Sequence, residues 1–217
     1  DQLRRIIDDL VSRNAQWTAA RDDFGVLLIA SPGIEGNPTL IVDLFPIEQS
    51  LVSKRLHHGS PVLVTDVEQP SPACWSRQIK TRCRLHYYRA DRQARTFSDD
   101  ALGILIDSDG SITETGIANV VIVEGESITQ PPSVKILDGV SLQVTRELAS
   151  QIGLQWNAGP ISPERLHAAD EILLTGTSCG IWFGYPAGDT PRRPGPVYSR
   201  LRSAFDQLIE SNPPDIS

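Results

Sequence analysis

Arg77-Gln78-Ile79-Lys80-Thr81-Arg82-Cys83-Arg84-Leu85-His86-Tyr87-Tyr88-Arg89-Ala90-Asp91 holds one of only three lysines in a chain with seventeen arginines. Either residue supplies charge for solubility, but only lysine offers an amine that can turn nucleophilic and condense with an aldehyde. Each lysine therefore needs its own reading. Lys54, in the polar Ser53-Lys54-Arg55, reads as solvated charge. Lys135, after Pro131-Pro132 in a loop, reads as a surface residue. Lys80 follows Ile79 at the end of a short extended run and precedes a helix-like segment, a place from which a reactive amine can point into a cleft. Taken alone it reads as an ordinary surface lysine. The chain after it changes that reading.

A chain of 217 residues can build one large domain or two small ones, with ample core. Apolar residues make up 40% and charge is mixed, as in a soluble globular protein. A net charge of −7 without a basic cluster among aromatics argues against a nucleic-acid partner. No apolar run is long enough to cross a bilayer, and no signal-peptide pattern opens the chain. Cys74, Cys83 and Cys179 are odd in number and irregularly spaced, which fits reduced thiols and a cytoplasmic location. His57, His58, His86 and His167 lack metal-ligand spacing, so no metal is expected. The chain has no methionine and enters a helix pattern at once, so it reads as a piece of a longer one.

Leu3, Ile6, Ile7, Leu10 and Val11 recur at helical spacing and predict a helix over 2–13. Phe24 to Ala30 and Thr39 to Phe45 predict two buried strands around the turn Ser31 to Pro38. The polar stretch from Pro46 to Gly59 reads as a linker. Val62 to Val64 predicts a strand, and Leu85 to Arg95 a helix. A meander follows: Leu102 to Ile106, the turn Asp107-Ser108-Asp109-Gly110, Ile112 to Glu114, then Ile117 to Val123 and Ile128 to Thr129. A helix is expected over 140–151 with Val140, Val144, Leu148 and Ile152 on one face. Leu154 to Trp156 and Glu171 to Leu174 predict strands, Pro163 to Ala168 a helical turn, and Val197 to Ile209 a final helix.

Three features beyond Lys80 carry possible chemistry. Glu114 closes a strand between apolar neighbours. It fits either an exposed strand end or a carboxylate facing a protonated ring nitrogen. Leu137-Asp138-Gly139-Val140-Ser141 enters a helix whose free N–H groups can hold an anion, or whose end Asp138 or Ser141 simply caps. Asp138 competes with an anion for those donors. Thr175-Gly176-Thr177-Ser178 can form an oxyanion nest or an ordinary polar turn.

In order and spacing these features resemble the class IV aminotransferases, the pyridoxal-phosphate enzymes of fold type IV. That family includes branched-chain and D-amino-acid aminotransferases and aminodeoxychorismate lyase. The resemblance runs from near Asp1 to about Phe205. It rests on Ile79-Lys80-Thr81, Asp109 to Glu114 with Ala118-Asn119, Leu137 to Ser141, and Ala169 to Thr177.

The resemblance implies an α/β (α+β) fold: a small α/β domain, N-terminally truncated to residues 1–46, a linker over 47–59, and a large domain over 60–217 with a β-barrel-like core and flanking helices. It implies pyridoxal 5'-phosphate between the domains and a homodimer. Lys80 becomes the Schiff-base lysine and proton carrier, and Glu114 the partner of the pyridine nitrogen. Asn119, Gly139, Val140, Ser141 and Thr177 become cofactor-binding residues, with the Ser178 backbone near the substrate carboxylate. The implied activity is amino transfer between an amino acid and a 2-oxo acid. The alternatives are release of pyruvate from aminodeoxychorismate, and a non-catalytic binding protein. Departures from the family pattern bear on substrate more than cofactor. Leu85 stands where branched-chain members tend to place tyrosine, Leu142 stands where arginine is usual, and Gly180-Ile181-Trp182-Phe183 replaces a Thr-Pro-Val pattern.

Overall fold

The helical pattern at the start forms α1 (Gln2–Arg13), followed by a short α2 (Ala15–Ala19) that the sequence did not announce. The structure is a computed structural model and describes residues 2–212. Strands β1 (Phe24–Ile34) and β2 (Asn37–Pro46) form an antiparallel hairpin closed at Glu35-Gly36. Both are longer than their apolar runs and neither is buried: Leu28, Leu40 and Ile41 are exposed. Full burial of a strand needs cover on both faces, and within its unit this two-stranded sheet meets only short helices, α1 and, through Trp17 on Phe24, α2. The polar stretch after Pro46 is not irregular. It forms α3 (Gln49–His58), and two compact units divide within it, between Ser53 and Lys54.

The second unit begins with β3 (Ser60–Glu68), and α4 (Leu85–Ala94) and β4 (Leu102–Ile106) follow. The meander continues through β5 (Ile112–Thr115), β6 (Asn119–Glu124) and β7 (Ser127–Gln130). A 3₁₀ turn (Ser133–Lys135) leads to α5 (Val140–Gln151), β8 (Gln155–Ala158) and α6 (Pro163–Ala168). The unit ends with β9 (Glu171–Gly176), β10 (Gly180–Pro186) and α7 (Pro196–Ser211). The strands form one sheet in the order β5-β4-β3-β10-β9-β6-β7-β8. A further β5–β6 pairing, through Glu114 and Asn119, closes six of them into a barrel-like ring. The mixed α/β architecture with a barrel-like core and flanking helices is thus as expected.

Strand β10 was not foreseen. It pairs antiparallel with β9 and parallel with β3, and without it the ring would stay open. Its run Ile181-Trp182-Phe183 is buried on both faces, so it lacks the alternation that marks a half-exposed strand. Trp182 donates its indole N–H to Ser60 Oγ at 3.0 Å, tying β10 to the start of β3. The main core lies where β6, β7, β9 and β10 meet α5 and α7, around Val121, Ile128, Leu173 and Ile181 with Leu142, Leu148 and Leu201. Helix α5 therefore buries Leu142, Thr145, Leu148 and Ala149, a face rotated from the expected one. Val140 is 76% exposed because it sits in the first turn, off the packed face.

Helix α7 shows how the sheet fixes its helices. The Glu171 carboxylate on β9 accepts the N–H groups of Val197 (2.8 Å) and Tyr198 (2.9 Å), capping a helix that has no local side-chain cap. A Cβ at Gly195 would lie 2.1 Å from Glu171 Cδ, so glycine makes room for that contact. Removing the cap leaves two buried donors unpaired and forfeits a favourable helix-end charge, a loss of ~2 kcal/mol. Glu171→Ala is expected to lower the urea midpoint accordingly. Gly195→Ala should do the same in the wild-type background and much less in the Glu171→Ala background, since both act on one contact.

Candidate active site

Glu114 is only 5% exposed, which settles its two readings in favour of a buried carboxylate. Its side chain accepts four hydrogen bonds. Oε1 takes the Tyr87 hydroxyl (2.6 Å) and Gln69 Nε2 (3.1 Å); Oε2 takes Asn119 Nδ2 (3.1 Å) and the Leu137 N–H (3.0 Å). The donors come from α4, the end of β3, β6 and the loop before α5, so the carboxylate joins four parts of the barrel unit. Burial still pushes its carboxyl above the ordinary value, against the pull of these donors and of the Lys80 charge. Tyr87 is pushed up in turn, by burial first and then by the Glu114 charge, so its phenol remains a proton donor. Asn119 also donates to the Leu137 carbonyl at 2.7 Å. A Cβ at Gly139 would fall 2.6 Å from Asn119 Oδ1, so glycine allows the loop to approach this close.

Glu114 lines a cavity of about 330 Å³ within the second unit. Lys80 lies on the same wall. It sits in an irregular loop between β3 and α4, not at the end of an extended run, because the strand has already ended at Glu68. The loop is fastened just upstream. Arg77 Nη2 pairs with Asp107 Oδ1 at 2.9 Å and Arg77 Nε donates to the Pro70 carbonyl at 3.2 Å. Gln78 Nε2 donates to the carbonyls of Ile136 (2.9 Å) and Ser133.

The three lysines differ in their partners. Lys54 pairs with Asp100 at 2.6 Å. Lys135 pairs with Asp107 at 2.9 Å and with Asp109, so it is half-buried in a network and not a free surface charge. Burial opposes the charge on Lys135, but Asp109 and Asp107 outweigh it and hold the amine above its ordinary value. Among the described residues Lys80 has neither ion pair nor hydrogen bond. An amine must lose its proton to attack a carbonyl, and the two paired lysines are held protonated.

Gly139, Val140, Ser141 and Thr177 also line the cavity, with Asn119. Helix α5 has Gly139 at its N-cap position and no side-chain cap, so neither Asp138 nor Ser141 fills that role. Asp138 instead lies 3.7 Å from Arg146, which offsets part of its charge. Thr175, 1% exposed and also on the wall, has a hydroxyl oxygen without a hydrogen-bond partner. Ser178 lies outside the lining; its hydroxyl is 3.8 Å from Cys179 Sγ. The site therefore gathers seven of the eight expected residues.

It also contains Thr175, from the expected oxyanion turn, and Gln69, Arg84 and Tyr87, to which the sequence assigned no role. Arg84 and Tyr87 stand four and seven residues after Lys80, within one helical turn of each other at the entry to α4 and on it. Their signal was helical spacing after Lys80. Gln69 gave none, since a lone polar residue at a strand end is ordinary.

A match to the family Amino-transferase class IV covers residues 1–183. The branched-chain-amino-acid aminotransferase of Escherichia coli K12 is 25% identical over 99% of this chain and 72% of its own length. A crystal structure of the Escherichia coli enzyme superposes with a TM-score of 0.74 at 24% identity, covering 82% of this chain and 60% of that one. The branched-chain aminotransferase of Thermoproteus uzoniensis, solved with norvaline, gives 0.81 at 18% identity over 98% of this chain and 72% of that one. A Legionella pneumophila protein described as a 4-amino-4-deoxychorismate lyase gives 0.67 at 20% identity over 82% and 65%. These likenesses fix the fold as that of the fold type IV enzymes. With the family match spanning most of its length, the chain belongs to the class IV aminotransferases.

Proposed function

We propose that this chain is a pyridoxal-phosphate-dependent aminotransferase that moves an amino group between an amino acid and a 2-oxo acid. One observation carries the reading. A single unpaired lysine shares a cavity of about 330 Å³ with a buried, four-donor carboxylate and an uncapped helix N-terminus. The residues fit the cofactor. The orphaned Thr175 hydroxyl supports a phosphate site beside the open end of α5, where Val140 and Ser141 present N–H groups and Ser141 and Thr177 add hydroxyls. Lys80 would hold the cofactor covalently, and Glu114 would face its ring nitrogen.

When bound, the cofactor supplies an aldehyde that condenses with amines and a ring that accepts electron density from the bonds of the attached carbon. The rest is the work of this chain. Lys80 Nζ would take the proton from the substrate α-carbon and deliver it to the cofactor's former aldehyde carbon, as its loop position on the wall and lack of a counter-ion suit it to do. Glu114 keeps the facing nitrogen protonated, and its own four donors hold the carboxylate in place. Burial of Glu114 strengthens that pairing, because the same charge in water would be screened.

The Legionella neighbour favours a second reading, in which the same residues release pyruvate from 4-amino-4-deoxychorismate. Leu85, where branched-chain members tend to place a tyrosine, leans towards the lyase and D-amino-acid branches alike.

Three outcomes are expected. Borohydride treatment of protein saturated with pyridoxal 5'-phosphate, followed by peptide mapping, should place the pyridoxyl group on Lys80. Label on Lys54 or Lys135, or none, overturns the assignment. Glu114→Gln should retain the cofactor but reduce turnover at least about a hundredfold, ~3 kcal/mol of barrier; near-normal turnover would remove Glu114 from the mechanism. Lastly, holo-protein given an L- or D-amino acid alone should release at most one 2-oxo acid per site, and turn over repeatedly only with a 2-oxo acid acceptor. Sustained pyruvate release from 4-amino-4-deoxychorismate without an acceptor would select the lyase.

A further inference from the structure

Three arginine or lysine side chains line the cavity: Arg77, Lys80 and Arg84. Asp107 neutralises Arg77, and Lys80 is the nucleophile in the reading above. Arg84 is left over. Its Nη2 donates to the Gly116 carbonyl, and its guanidinium carbon lies 4.8 Å from the centre of the Tyr87 ring. Tyr87 is itself held by Glu114 at 2.6 Å. These contacts orient the guanidinium and neutralise none of its charge.

Among the described residues no carboxylate lies within ion-pair distance of Arg84. Asp91 is close enough to feel its charge, but its Oδ1 accepts the Gly103 N–H at 3.2 Å. Asp138 faces Arg146, and Glu114 already accepts four donors. A half-buried guanidinium with a fixed plane and no counter-ion suits a planar anion, which it can bind through two parallel N–H groups. Phosphate has a separate place, at the neutral donors of α5, Thr175 and Thr177. The residue expected near a substrate carboxylate, Ser178, is not on the wall.

We infer that Arg84 is the receptor for a carboxylate of the substrate and so a specificity-determining residue of this site. The inference rests on the proposed function in taking the cavity as the substrate site. The carboxylate can belong to the reacting end of the substrate or to its far end, and the two are separable by probe length.

The test is calorimetric titration of holo-protein, its cofactor content measured, with propionate and with glutarate. Wild type is compared with Arg84→Gln and Arg84→Lys; Arg84→Met, which keeps the stem over Tyr87, replaces the Gln variant if that does not fold. The Kd of at least one probe should weaken tenfold or more in the neutral variant and recover largely in Arg84→Lys. Weakening for both probes, or for propionate, places the carboxylate at the reacting end; weakening for glutarate alone places it at the far end. Three results overturn the inference: equal affinity in wild type and the neutral variant, no carboxylate binding by wild type, or a loss confined to cofactor content and inorganic phosphate. Failure of the Lys80 label sinks the cofactor reading by a separate measurement, while unchanged carboxylate affinity sinks this inference and leaves the label standing.

Discussion

The barrel closes where β5 meets β6, and the pair that closes it, Glu114 and Asn119, is also the pair that organises the cavity. A carboxylate buried this deeply would be expelled or neutralised without partners. Here each partner comes from a different element: Gln69 from the end of β3, Tyr87 from α4, Asn119 from β6, and the Leu137 N–H from the entry to α5. Satisfying one side chain therefore requires the strand, the helix and the loop to be in place together. Closure of the fold and assembly of the site are one physical event, carried by the same hydrogen bonds.

Charge is distributed so that, among the described residues, one lysine of the three has no ion pair or hydrogen bond. Asp107 sits between Arg77 and Lys135, and the loop bearing Lys80 is fixed by Arg77 and Gln78 only two or three residues away. The loop is thus anchored while Lys80 itself is not. Arg77 beside Asp107 holds that carboxyl well below its usual range. A carboxylate with a depressed folded-state value adds stability above its unfolded value and loses it as pH falls through the folded one. The anchor therefore persists through neutral and alkaline pH.

Much of this was legible in the sequence because its signals are local. Turn residues placed the hairpin at Asp107 to Gly110, proline placed α6, and the bounds of α5 were legible although its buried face was not. The cavity residues Lys80, Glu114 and Gly139 to Ser141 were legible only through an order and spacing that resemble the class IV family; each read alone as ordinary. What stayed hidden depends on contacts between distant segments. Strand β10 is apolar on both faces and carries no period. The exposed β1–β2 hairpin reads as core because apolar content says nothing about what covers it. Tyr87 and Gln69 have roles only because α4 and β3 bring them to Glu114, 27 and 45 residues away in sequence.

The raised carboxyl of Glu114 ties binding to protons. Its folded-state value lies above the ordinary one, so its protonated form is the better buried, and its contribution to stability is greatest at low pH and is lost as pH rises through the folded value. In its ionised form the group thus bears a desolvation cost, which its four donors only partly offset. A cationic N–H brought against it removes part of that cost and lowers the value again. The site is therefore built to gain more from a positively charged partner than from a neutral one of the same shape. That preference follows from burial, and burial of Glu114 follows from its place at the seam of the barrel.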